Sequence, residues 1–89
     1  MTDIRLDRLP EVLSRRGDGR TSLYSDIKRI RWTPPIHVGR ASTWPRHETD
    51  ALIRARIAGA TDDQLRALVR DLLSQRKSLM PAIGASEAA

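Results

Sequence analysis

Apolar positions recur at helical spacing in separate stretches of the chain, and the residues between those stretches are of the kinds that end helices or build turns. Leu9, Val12 and Leu13 fall three and four apart, and Pro10 suits a first helical position, so a short helix is predicted from Leu9 to Arg16. Gly17-Asp18-Gly19 stops it. The two glycines permit the positive backbone angles of a tight turn, and Asp18 is placed to cap a second helix. That helix is predicted from Arg20 to about Ile30. Leu23, Ile27 and Ile30 form its core side, and Arg20, Thr21, Ser22, Ser25, Lys28 and Arg29 face outward.

Thr33-Pro34-Pro35 ends helical structure, because proline lacks an amide donor and biases the residue before it toward extended backbone. A hairpin is predicted next. Ile36 and Val38 alternate with His37, Gly39-Arg40-Ala41 turns the chain, and Ser42-Thr43-Trp44 returns with Trp44 inward. Strands this short need a helix behind them. Pro45 supplies its start, and Ala51, Leu52, Ile53, Ala55 and Ile57 carry it toward Gly59. The last helix has the clearest local signal: Thr61-Asp62-Asp63-Gln64 fits a capping box with two acids at the positive helix end. Leu65, Leu68, Val69, Leu72 and Leu73 then make one apolar stripe, while Arg66, Arg70, Asp71, Gln75 and Arg76 take the other side. Residues 81–89 carry no pattern and read as a frayed tail. The expected organisation is therefore a DNA-binding unit over 1–59, an amphipathic helix over 60–80 and the tail.

Eighty-nine residues make one small domain with a thin stability margin. Without cysteine there is no disulfide framework or thiol nucleophile, which fits a reducing, cytoplasmic setting, and no stretch is long and apolar enough to span a membrane. The distribution of charge says more than its sum of +5. From Arg15 to Arg46 there are eight basic residues (Arg15, Arg16, Arg20, Lys28, Arg29, Arg31, Arg40, Arg46) against Asp18 and Asp26, whereas residues 61–89 hold four of each sign. That imbalance is the footprint of a phosphate-binding surface.

The run Arg8-Leu9-Pro10-Glu11-Val12-Leu13-Ser14-Arg15-Arg16-Gly17 followed by Arg20-Thr21-Ser22-Leu23-Tyr24 resembles the opening of the AlpA-type phage regulators. Pro35-Ile36-His37-Val38-Gly39, Arg40 and Trp44-Pro45 match that family's proline link, extended segment, glycine turn and tryptophan before the next helix. The likeness covers roughly Leu6 to Gly59. It implies a mainly α fold with a small β-hairpin, a winged helix-turn-helix similar to excisionases and MerR-type regulators, with the C-terminal amphipathic helix appended. Four residues depart from the family pattern: Asp18 and Gly19 stand where the interhelical turn usually carries an apolar residue and a serine cap, Ile30 stands where a glycine commonly follows the second helix, and Trp32 replaces a phenylalanine.

Direct reading of a duplex needs a helix that enters the major groove with bonding side chains near its N-terminal end. The second helix meets that need: Arg20 suits guanine, Thr21 and Ser22 suit base edges or phosphate, and Tyr24, Ser25 and Lys28 suit phosphate. Arg40, at the hairpin tip, is the wing cation. Each residue also has a plainer role available. Arg20 and Arg40 are alternatively solvated surface cations, and Tyr24 alternatively packs its ring under the hairpin. Trp32 and Trp44 are expected in the core. His37 and His47 lack the partners of a metal site, no catalytic constellation is present, and no cofactor is expected. The stripe Leu65, Leu68, Val69 and Leu72 either folds back on the domain or pairs with a second copy; pairing is preferred, because two half-sites raise affinity by avidity. The expected function is sequence-specific regulation of a prophage or integrative element on double-stranded DNA. The alternatives are an excisionase that bends attachment DNA and holds a tyrosine recombinase (integrase), and a protein-interaction module without DNA binding.

Overall fold

In the computed structural model, residues 4–79 are described, and the expected tail over 81–89 lies outside them. The elements run β1 (Leu6–Arg8), α1 (Leu9–Arg16), α2 (Arg20–Lys28), β2 (Ile36–Val38), β3 (Ala41–Pro45), α3 (Arg46–Ile57) and α4 (Asp62–Ser78). Among the described residues the strands form one antiparallel sheet in the order β1-β3-β2. Its register pairs Asp7 with Trp44 on one side of the central strand and His37 with Ser42 on the other. The hairpin and the four helices lie where the apolar spacing predicts them. Strand β1 is an addition to that pattern: three residues, two of them charged, carry no readable alternation.

The helix ends show how the local sequence works. Gly17 closes α1 in the left-handed conformation (φ 80°), its N–H donating to Leu13 O. Asp18 does not cap α2, whose N-cap is Gly19 without a side-chain bond; Asp18 instead accepts two hydrogen bonds from the Arg16 guanidinium. The predicted end of α2 at Ile30 also moves. The helix stops at Lys28, and Ile30 takes a left-handed φ of 60° while its N–H donates to Ile27 O and the Arg31 N–H donates to Asp26 O. This is a Schellman closure built on isoleucine at the position that favours glycine. Helix α3 ends in the same pattern with Gly59 (φ 84°) in that place. Pro45 ends β3 and forms the N-cap of α3 rather than its first turn, and the free Arg46 N–H is satisfied by Arg5 O. At the start of α4 the capping box forms as its spacing predicts, with both Thr61–Gln64 bonds in place.

Val12, Leu23, Trp32, Trp44, Leu52, Leu65, Val69 and Leu72 make the core, so every helix contributes to it. Trp44 donates its indole N–H to Thr33 O, and Trp32 lies beneath two guanidiniums, those of Arg16 at 4.4 Å and Arg56 at 5.4 Å from the ring centroid. The buried carboxylates around this core, Asp7, Asp26 and Glu48, are each paired with arginines. Asp26 accepts from Arg16, Arg31 and Arg56. Asp7 is held by a two-pronged Arg46 and reached by Arg15, which also pairs with Asp50. Glu48, fully buried, takes both prongs of Arg76, which in addition donates to Pro34 O. The charge of Arg76 suggests the solvated side of α4, but it stands four residues after Leu72 and seven after Val69, in line with the buried stripe, where it clamps α4 to α3 and the proline link.

The Arg46 hydrogen bonds hold the Asp7 carboxyl below its ordinary range. Burial pushes Asp26 upward, but the bonds from Arg16 and Arg56 outweigh it and the group also ends below its ordinary value. A depressed folded pKa stabilises the fold above the unfolded value and loses that contribution as pH falls through the folded one. The urea midpoint should therefore hold steady down to about pH 5 and fall progressively below about pH 4. Asp26→Asn should cost about 3 kcal/mol at neutral pH and flatten part of that acid limb. A midpoint unchanged between about pH 5 and about pH 2.5 would contradict this account. The left-handed Ile30 gives a second test. Ile30→Gly should raise the unfolding free energy by about 0.5–1 kcal/mol, since relief of about 1–2 kcal/mol of backbone strain exceeds the added chain entropy. A lower midpoint in urea would show that contacts of its half-exposed side chain matter more.

Candidate nucleic-acid interface

Helix α2 turns Leu23 and Asp26 inward and leaves the opposite side to solvent. That free side follows from helical spacing: Thr21, Tyr24, Ser25 and Lys28 lie at intervals of three and four, away from the buried pair. Together with Arg29 they line an open depression of about 660 Å³. Four of the six expected α2 residues are thus gathered. Arg20 and Ser22 are exposed on the same helix but outside the lining. Arg29 was not among the expected site residues; its position four after Ser25, inside the basic cluster, was the available signal.

Tyr24 takes the packing role and stays partly exposed. Its ring meets Trp44 edge-on, with centroids 6.4 Å apart and planes at 69°, while 39% of the residue stays exposed. The contact ties α2 to the central strand, and so to the hairpin. Val38 opposite Ala41 leaves a two-residue turn, Gly39-Arg40, with Gly39 at φ 62°. Positive φ at the first turn position alone is the type II′ pattern, whose twist matches the flanking strands. Arg40 is exposed at its tip.

The basic cluster read from the sequence divides into two groups. Arg15, Arg16, Arg31 and Arg46 are bound to aspartates within the chain. The side chains of Arg20, Lys28, Arg29 and Arg40 form no ion pair among the described residues. Asp18 and Asp26, the acids nearest α2, are both taken by arginines. The depression on α2 is therefore lined by hydroxyls and cations, with no carboxylate among its lining residues. That charge is available to an external anion.

The stripe on α4 is disposed otherwise than preferred. Leu65, Val69 and Leu72 are buried in this chain's own core, and Leu68 packs against it. Pairing through Leu65, Val69 and Leu72 is corrected to the fold-back arrangement, because a domain this small uses their area to close its core, while Leu68 stays partly exposed. Leu79, seven residues after Leu72, is 60% exposed. Among the described residues no helix is long and apolar enough to cross a membrane.

The division of the cations predicts contrasting variants. Arg20→Ala, Lys28→Ala and Arg40→Ala should each leave the unfolding free energy within about 0.5 kcal/mol of the parent. Arg16→Ala should cost about 2 kcal/mol or more, because it strips Asp26 of a partner and uncovers Trp32. Chemical denaturation of the four variants checks the split, and similar costs for all of them would refute it.

Comparison of the chain with protein-family models, with curated proteins and with solved structures finds no significant match.

Proposed function

We propose that this chain binds double-stranded DNA as a winged helix-turn-helix, with α2 in the major groove and the β2–β3 hairpin as its wing, and that it serves as a sequence-specific regulator of a prophage or integrative element. The observation that carries the reading is the free face of α2. Hydroxyls of Thr21, Tyr24 and Ser25 stand beside Lys28 and Arg29, no carboxylate lines the depression they form, and Arg40 is exposed on the adjacent hairpin. The AlpA-type resemblance of Arg8–Gly17, Arg20–Tyr24, Pro35–Gly39, Arg40 and Trp44-Pro45 supports the same assignment and implies the mobile-element setting.

The division of labour follows from donor chemistry. An α-helix fits the major groove, and residues near its N-terminal end meet base edges there. Arg20 is suited to the paired acceptors of guanine, and Thr21 offers both a hydroxyl and a methyl that complements thymine. Lys28 and Arg29, one to two turns further, suit phosphates, where a point charge or a fork contributes affinity without reading sequence. The fixed contact of Tyr24 with Trp44 sets the angle between helix and wing, so that both meet one duplex together. Arg40 then holds the backbone or minor groove beside the site.

Fluorescence anisotropy with the chain's own upstream DNA and with a scrambled duplex, at two salt concentrations, tests the proposal. Preference for the upstream DNA is expected. Arg20→Ala should reduce that preference by about 1–3 kcal/mol, roughly 5- to 150-fold, at one base position. Lys28→Ala should weaken both duplexes equally and lower the salt slope by about 1. Absence of binding to either duplex at about 50 mM salt would overturn the proposal.

A further inference from the structure

Residues 61–89 carry equal numbers of acidic and basic groups, yet beyond its first turn α4 sets Arg70 and Lys77 apart from Asp71. Arg66, Arg70, Leu73 and Lys77 succeed one another at intervals of four, three and four, which places them along one flank beside the buried stripe. Asp71, held by Gln75, lies on the opposite flank. Arg70 and Lys77 are exposed and form no ion pair among the described residues, and with Leu73 and Ser74 they line an open depression of about 280 Å³.

The packing sets where this flank begins. Arg66 donates from Nε to the backbone carbonyl of Arg29 at 3.2 Å, directly at the C-terminal end of α2. Arg31, two residues on, reaches Asp62 in the first turn of α4 at 3.2 Å. The basic flank therefore starts beside the exposed Lys28 and Arg29 and runs away from them along α4. From Arg66 to Lys77 it covers about 16 Å at about 1.5 Å per residue, comparable to about five base-pair steps of about 3.4 Å. Arg66 is partly neutralised by Asp63 and acts as the joint, which leaves Arg70 and Lys77 as the contacting cations.

We infer that Arg70 and Lys77 form a second phosphate-binding track, which extends the contacts of α2 along the DNA backbone outside the segment read in the major groove. The inference rests on the DNA-binding reading of α2 and deepens it. The track carries no base readout, because long flexible cations opposite phosphates add affinity without discrimination. It also gives α4 an outward role, independent of the stripe that closes the core.

The test uses the full chain on the upstream and scrambled duplexes across a salt series, with Arg70→Gln/Lys77→Gln, Asp71→Asn and Arg20→Ala beside the parent. The double variant should lower the slope of log K against log salt by about 2, at roughly 0.9 per phosphate, and should weaken both duplexes by the same factor. Arg70→Lys/Lys77→Arg should restore parent binding. Asp71→Asn, which changes net charge on the other flank, should leave the slope unaltered. If the parent binds and Arg20→Ala loses preference while the double variant keeps the parent slope, the track is refuted and the reading of α2 stands. If Asp71→Asn shifts the slope as much as the double variant, overall charge acts rather than a track, and the inference fails. If the parent binds neither duplex, both proposals fail together.

Discussion

One carboxylate, Asp26, joins the parts of this domain. It lies on the inward side of α2 and accepts guanidinium hydrogen bonds from the end of α1 through Arg16, from the segment after α2 through Arg31, and from the end of α3 through Arg56. Arg31 passes the connection to Asp62 at the start of α4. Two of these arginines, Arg16 and Arg56, also cover Trp32. Removing Asp26 leaves three guanidiniums without their shared acceptor, although Arg16 keeps Asp18 and Arg31 keeps Asp62. A core of eight buried apolar side chains is thin, and this junction fixes how the helices meet around it.

The junction also determines what is left for a ligand. With Asp26 turned inward and Asp18 held by Arg16, the outer side of α2 keeps its hydroxyls and cations without acidic competition. Arginines thus do two kinds of work in one short stretch. Those matched to a buried carboxylate position the elements; those without a match give the surface its sign. Glu48 with Arg76 and Asp7 with Arg46 repeat the first arrangement at the proline link and at the sheet.

Helices and hairpin are legible in the sequence because their periodicity is local: Leu9, Val12 and Leu13, or Ile36 and Val38, announce themselves within a few residues. The same holds for the Thr61–Gln64 box and for Thr21, Tyr24, Ser25 and Lys28, whose shared face follows from spacing alone. The charge junctions are not legible. Arg16 and Arg76 stand in register with the buried Val12 and Leu72, yet their charge reads as solvated until distant carboxylates are brought to them, and a fully buried Glu48 has no signature without its partner. Strand β1 is hidden for the same reason, since Asp7 becomes an inward residue through Arg46 and Arg15. A preference for pairing through Leu65, Leu68, Val69 and Leu72 overlooks how much area so small a core requires.

The strand order bears on how the chain comes together. The central strand, β3, is the last of the three along the chain, so β1 has no neighbour to pair with until α1, α2 and β2 have all been made. The core is open for longer still, because Leu65, Val69 and Leu72 arrive with α4. During synthesis α2 must therefore exist for a time as an unsupported segment, shorter than an isolated helix needs to persist in water. Loss of α4 by an early stop or by proteolysis would return the whole domain to that state. Trimming the chain down to α1, α2 and the hairpin would yield a peptide with a positive surface and no fixed shape.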